Sequence, residues 1–186
     1  MRELPYTITL TRKDGSAPQT FVIRECTPED LAEVTALQDA VFEAVPDKST
    51  YFMTQEWELE ESLRMDKCFC AVMDGAIVGL TMMVVGRPGS RNAGNYLEYD
   101  EDRLRTCVTM EVSFIGPAAR GYGLQQIFFA LREETARALG AKEALTTISP
   151  DNEFSLNNAL RSGYTIITEK ELYGGLRRYI LRKEFR

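Results

Sequence analysis

The sequence predicts an α/β fold with a mixed, mostly antiparallel sheet, and three observations predict it. Alternating apolar segments come in adjacent pairs through the first half of the chain, as antiparallel hairpins require. From residue 106 onward the order changes to strand, helix, strand, helix, which calls for a parallel crossover. Asp74-Gly75 and Gly174-Gly175 sit where hairpin partners must reverse. A length of 186 residues suits one domain over 1–186 better than two small cores.

Taken in order, Tyr6 to Thr11 alternates, turns through Lys13 to Ser16, and returns along Thr20 to Arg24. Thr27 is a suitable N-cap and Pro28 a suitable first helical residue. Leu31, Val34, Leu37 or Gln38, Val41 and Val45 then recur at helical spacing. A second, acidic helix is predicted from Thr54 to about Arg64. Cys68–Met73 and Ile77–Val85 flank the Asp74-Gly75 turn as a second hairpin. Residues 86–105, with Pro88, Gly89, Gly94 and the acidic run Glu98 to Asp102, read as a long polar loop. Strands follow at Thr106–Ile115 and Ala144–Ile148, separated by a helix from Gly121 to Leu139. A short helix from Asn152 ends at Gly163, and Tyr164–Thr168 and Leu176–Leu181 form the last hairpin.

Composition removes several chemistries. There is no histidine, so Ser-His-Asp and Cys-His nucleophiles, His-ligated zinc and imidazole bases are excluded. Proton transfer falls to carboxylates, tyrosines, lysines, cysteines or water. The four cysteines (Cys26, Cys68, Cys70, Cys107) have no metal-ligand spacing and read as reduced core residues, so no metal is expected. A net charge of −6 argues against nucleic-acid binding. No apolar run approaches the roughly 20 residues of a membrane span, and the N-terminus lacks a signal-peptide core. A cytoplasmic location is therefore expected.

The strand from Val108 to Ile115 runs through Gly116-Pro117 into Arg120, Gly121, Tyr122, Gly123, Leu124 and Gln125, which open a helix. Glycines there let the backbone turn tightly and aim N–H groups outward, beside the positive end of the helix. On glycine spacing alone, a phosphate cradle and a simple helix-starting turn remain equally open. A Walker loop is excluded because no Gly-Lys-Ser/Thr follows, and a Rossmann turn lacks its third glycine.

The segment Arg120 to Gln125 resembles the acyl-CoA pyrophosphate loop of the GNAT N-acetyltransferase superfamily, Q/R-x-x-G-x-G/A, with Gln125 where a small residue is usual. Asn152 to Ser155, followed by Gly163-Tyr164, resembles the same family's N-x-x-A/S motif with its later Gly-Phe/Tyr. The resemblance covers about Arg24 to Leu181 and implies a central twisted sheet of six to seven strands flanked by helices, here with an extra N-terminal hairpin strand. It implies acetyl-CoA as co-substrate. The cofactor contacts it implies are Phe114, Ile115, Arg120, Gly121, Tyr122, Gly123, Leu124, Gln125, Asn152 and Ser155.

Strand alternation puts Thr109, Glu111, Ser113 and Ile115 on one face, and Glu111 is the candidate general base; Glu98, Asp100, Glu101 and Asp102 are alternatives. The resemblance implies that backbone N–H groups near Phe114 and Ile115 meet the developing oxyanion. Its usual acid, a tyrosine four residues before the motif glycine, is replaced by Ala159. Tyr173 is the candidate substitute, and a thiol also leaves tolerably without an acid. The expected activity is transfer of an acetyl group from acetyl-CoA to a primary amine, by direct attack in a ternary complex. The acceptor is expected to be small and cationic rather than a protein. A non-catalytic acyl-CoA-binding domain is the alternative. An open edge strand leaves a homodimer open as well.

Overall fold

The N-terminal alternation forms a hairpin of β1 (Tyr6–Leu10) and β2 (Gln19–Glu25), with Tyr6 opposite Ile23 and Leu10 opposite Gln19. The computed structural model describes residues 3–87 and 89–185; Pro88, read as part of the long loop, lies outside them. After β2 come α1 (Leu31–Glu43), α2 (Glu56–Met65), β3 (Lys67–Met73) and β4 (Ala76–Val85). The second half comprises α3 (Glu101–Arg105), β5 (Cys107–Ile115), α4 (Leu124–Ala138), β6 (Glu143–Ile148), α5 (Glu153–Arg161), β7 (Thr165–Leu172) and β8 (Leu176–Glu184). The strands follow the order β1-β2-β3-β4-β5-β6-β8-β7 in one eight-stranded sheet, which is seven plus the extra N-terminal strand β1. The β5–β6 pair is parallel, as the change of pattern after residue 106 predicts.

Several boundaries differ from the sequence reading. The helix α4 starts at Leu124 rather than Gly121, and β7 runs on to Leu172 and β8 to Glu184. Three further differences have a local reason. The second helix starts at Glu56 because Thr54 is held by Gln38. Its N–H donates to Gln38 Oε1 (3.0 Å) and its carbonyl accepts from Gln38 Nε2 (2.9 Å). Gln55 then caps the helix, with Glu58 reaching back to its N–H. Thr27 leads into a 3-10 turn, Pro28–Asp30, and α1 begins only at Leu31 and stops before Val45. Residues 86–105 are not simply a loop. Asn92 caps a 3-10 turn at Ala93–Leu97, and Asp100 caps α3, whose first turn holds Glu101 and Asp102. The acidic run is thus a helix start, where carboxylates suit the dipole.

The described residues gather into two units. The first holds residues up to Pro46, Met53–Met83 and Val112–Thr135. Its core packs Phe21 and Ile23 of β2 and Phe69 and Ala71 of β3 with Leu124, Phe128 and Leu131 of α4. Those three α4 positions follow helical spacing, so one stripe of the helix is buried. Gly79 of β4 permits this approach, since a Cβ there would lie 3.2 Å from the Phe128 ring. Cys26, Cys68 and Cys70 are buried and unbridged, as the composition predicts.

Arg24 and Asp30 make a two-pronged pair in this unit, at 2.7 and 2.8 Å, and Asp30 also accepts from Thr27 N–H. The Arg24 hydrogen bonds, opposed by burial, hold the Asp30 carboxyl below its ordinary range. A lowered folded-state pKa contributes stability that is complete above the unfolded value and is lost as pH falls through the folded one. Asp30→Asn should therefore cost about 1–2 kcal/mol near neutral pH, on the scale of charged hydrogen bonds. Acid melts should show that difference from wild type shrinking only below about pH 4.

The second unit holds Asp47–Phe52, Val84–Glu111 and the residues from Ala136 onward. Cys107, Leu145 and Ile180 of its three central strands pack with Ala93, Tyr96, Leu97 and Tyr99. The segment is tied down edge by edge: Asn92 Nδ2 donates to the Cys107 carbonyl (2.9 Å), and Ala93 N–H donates to Thr109 Oγ1 (2.8 Å). Arg103 makes two bonds to the buried Glu143 carboxylate, at 2.7 and 3.0 Å.

Candidate functional site

In the first unit, the glycine-rich turn has the geometry an anion requires. Gly121 and Gly123 take φ of +89° and +81°, the left-handed region that glycine adopts without a Cβ penalty. The N–H groups of Gly121, Tyr122, Gly123 and Leu124 have no hydrogen-bond partner among the described residues. Helical bonding begins only with Gln126 and Ile127, both donating to the Gly123 carbonyl. Four consecutive unpartnered donors at the head of the 15-residue α4, with its dipole, form an arrangement that can donate hydrogen bonds to an anion such as a phosphate.

The side chains of this turn divide. Tyr122 and Leu124 are buried in the core, Tyr122 edge-on to Phe21 at 5.3 Å, so only their backbone can serve a cofactor. Arg120 is exposed, and its Nε donates to the Ile115 carbonyl at 3.3 Å. Gln125 is half-buried. Phe114 is buried, and the Ile115 side chain packs on the α4 cluster.

The tip of the N-terminal hairpin also reaches this turn, which sequence reasoning did not foresee. Arg12 Nε donates to the Arg120 carbonyl (2.9 Å) and Lys13 N–H donates to the Gly121 carbonyl (3.2 Å). Arg12 also lies against Gly121, where a Cβ would come within 3.0 Å of it. These bonds occupy the Arg120 and Gly121 carbonyls, while the N–H groups of residues 121–124 stay unpartnered among the described residues. Arg12→Ala should weaken binding of acetyl-CoA, the co-substrate that the family resemblance implies, about three- to tenfold, the worth of one modest hydrogen bond. Calorimetric titration of the variant checks this.

In the second unit, Glu111 on β5 is half-buried and its Oε1 accepts from Arg91 Nη1 at 2.6 Å. That charge-assisted bond fixes the direction of the carboxylate. Glu98 and Glu101 are exposed, Asp100 caps α3, and Asp102 is exposed in its first turn, so Glu111 is the only one of these carboxylates set on a strand.

Tyr173 sits in the β7–β8 turn with φ of +54°, followed by Gly174 and Gly175 at +82° and +106°. Its ring stacks on Phe52 at 4.6 Å and meets Tyr96 edge-on at 6.2 Å. Its hydroxyl lies 2.9 Å from Thr147 Oγ1 on β6. Burial raises the phenol pKa above its ordinary value, opposed by the Thr147 bond and reinforced by the charge of Glu111. Tyr173 therefore stays protonated throughout the neutral range. Phe52, Tyr96, Thr147 and Arg91 carry no sequence signal that would have singled them out.

Asn152 caps α5: its Oδ1 accepts from Ser155 N–H at 3.0 Å. The cap uses the carbonyl of the Asn152 amide, and its NH2 is the end suited to a ligand acceptor. Ser155, half-buried, supplies the capped N–H. Ala159 is fully buried on α5, where a methyl fills the space.

No family model and no curated protein matches the sequence. Solved structures do match over nearly the whole chain. A GNAT-family acetyltransferase from Listeria monocytogenes superposes with a TM-score of 0.70 at 14% identity, covering 96% of this chain and 100% of its own. One from Streptococcus pneumoniae gives 0.66 at 19%, covering 89% and 99%. The yncA protein of Salmonella typhimurium, solved with its cofactor acetyl-CoA, gives 0.62 at 17%, covering 88% and 93%. The chain has the GNAT fold. No helix among the described residues is long and apolar enough to cross a membrane.

Proposed function

We propose that this chain, folded as the GNAT acetyltransferases are, moves an acetyl group from acetyl-CoA to the primary amine of a small acceptor. The observation that carries the reading is the row of four unpartnered N–H groups from Gly121 to Leu124 at the start of α4, with Arg120 beside it. These donors suit a pyrophosphate, and the Asn152 side-chain NH2 suits a pantetheine amide carbonyl.

Acetyl-CoA supplies an activated thioester, so no enzyme nucleophile is needed in a chain without histidine. The amine nitrogen bonds to the acetyl carbon, the carbon–sulfur bond breaks, and the amine proton passes to Glu111, directly or through a water. Backbone N–H groups near Phe114 and Ile115 are assigned to the negative charge developing on the carbonyl oxygen. Tyr173 is assigned to return a proton to the departing thiolate. Ala159, where the family resemblance implies a tyrosine, has no proton to give.

The test is release of free CoA thiol from acetyl-CoA, followed with a chromogenic disulfide across a panel of amines. Amine-dependent release with equal formation of N-acetyl product supports transfer. Tight acetyl-CoA binding with no release for any amine would instead make this a CoA-binding module.

A further inference from the structure

Arg178 is a buried cation that acetyl transfer to a bare amine leaves without a task. It lies on β8 with only 4% of its surface exposed. Its guanidinium donates to two backbone carbonyls, those of Arg177 (2.8 Å) and Ser49 (3.5 Å), and pairs with no carboxylate among the described residues. The charge of Asp151 reaches it without forming an ion pair. The contrast with its neighbour is direct: Arg177, far more exposed, holds Glu169 at 2.6 Å. A guanidinium has five N–H donors in a planar fork, and buried charges are ordinarily paired. Desolvation pulls the Arg178 pKa below its usual value, the mark of a charge held without a full set of partners.

The surroundings of Arg178 are also built rather than incidental. Its guanidinium lies 5.9 Å from the centre of the Tyr173 ring. That ring is held by a left-handed backbone, which a bulky residue adopts only at a cost. It is stacked on Phe52, which is itself part-exposed, and anchored through Thr147. The charge of Glu111 acts on the same phenol. The second unit therefore gathers an unpaired cation, an aromatic wall open on one side, and the candidate base.

We propose that the acceptor carries a carboxylate beside its amine, placing it in the amino-acid class, and that Arg178 is the specificity residue that binds that carboxylate. A planar fork matches a carboxylate in two-pronged fashion, which an ammonium group on a polyamine would not use. This rests on the acetyl-transfer reading and narrows its acceptor from a cationic amine to a zwitterionic one.

The test compares free amino acids, their carboxamides and polyamines as acceptors for the unmodified protein, after calorimetry has established acetyl-CoA binding. Free acids should be preferred over the matching amides by roughly 10- to 100-fold in kcat/KM, the span of one lost charged hydrogen bond. Arg178→Met should erase that preference through KM, with kcat within about threefold and acetyl-CoA affinity unchanged, and Arg178→Lys should restore part of it. Amides or polyamines used as well as free acids, with acetyl-CoA still bound, would overturn the proposal and leave acetyl transfer standing. So would an Arg178→Met variant that loses acetyl-CoA instead, since the guanidinium would then serve a cofactor phosphate. Absence of acetyl-CoA binding in the unmodified protein would remove both readings.

Discussion

Glu111→Gln should lower kcat by about 100-fold or more while leaving acetyl-CoA affinity within about twofold. The glutamine amide has the shape of the carboxylate, and its oxygen can still accept from Arg91, which now lies 2.6 Å from Glu111 Oε1. What it loses is the ability to take a proton from the attacking amine. An amine at neutral pH is mostly protonated, so a group that accepts its proton acts on every turnover. Steady-state kinetics of thiol release, together with calorimetry on the same preparation, separate the two effects. A kcat unchanged by Glu111→Gln would remove Glu111 as base and leave a water or the free amine to lose its proton unaided. Loss of acetyl-CoA affinity as well would mean that the Arg91–Glu111 pair holds structure rather than chemistry. Arg91→Lys then serves as a comparison, since it keeps the charge but not the planar fork.

Gly123→Ala should weaken acetyl-CoA binding by about 100-fold and change the melting temperature by only a few degrees. The two quantities separate because of what surrounds this glycine. Its φ of +81° makes any Cβ unfavourable, at about 1–2 kcal/mol. Yet a Cβ built there meets no protein atom within 4 Å, so the packing is not disturbed. The open space beside the unpartnered N–H groups is where a phosphate oxygen would approach, and a methyl would occupy it. Gly75 makes a useful control: it has the same left-handed backbone, at +83°, and equally open surroundings, but sits in the β3–β4 turn, outside the row of unpartnered N–H groups. Gly75→Ala should carry the conformational cost alone and leave affinity unchanged. Equal affinity losses at both positions would mean that general destabilisation, not the cradle, is responsible.

The parts of the molecule legible in the sequence are those set by neighbours along the chain. The hairpin at Asp74-Gly75 and the parallel β5–β6 pair follow from turn chemistry and from the spacing of apolar residues. The turn from Arg120 to Gln125 is local too, and its glycines take the conformations their spacing implies. The misreadings are equally physical. Residues 86–105 looked like a loop because Gly94 and a run of acids suppress helical periodicity. Side-chain caps from Asn92 and Asp100 nevertheless start two short helical turns there. Arg12 meets the Arg120 carbonyl 108 positions away, and Arg178 reaches Ser49 across 129, contacts that no local pattern encodes. Tyr122 and Leu124 lie in the motif yet turn into the core, because the loop offers its backbone rather than its side chains.

The most direct test of the account is calorimetric titration of the purified protein with acetyl-CoA, with ATP and NAD as controls. The cradle at Gly121 to Leu124 predicts saturable micromolar binding of acetyl-CoA, weakened by Arg120→Ala and Gly123→Ala and not displaced by NAD. No binding of acetyl-CoA or of longer acyl-CoAs would contradict it, leaving the GNAT fold without its co-substrate and withdrawing the roles assigned to Glu111, Tyr173 and Arg178.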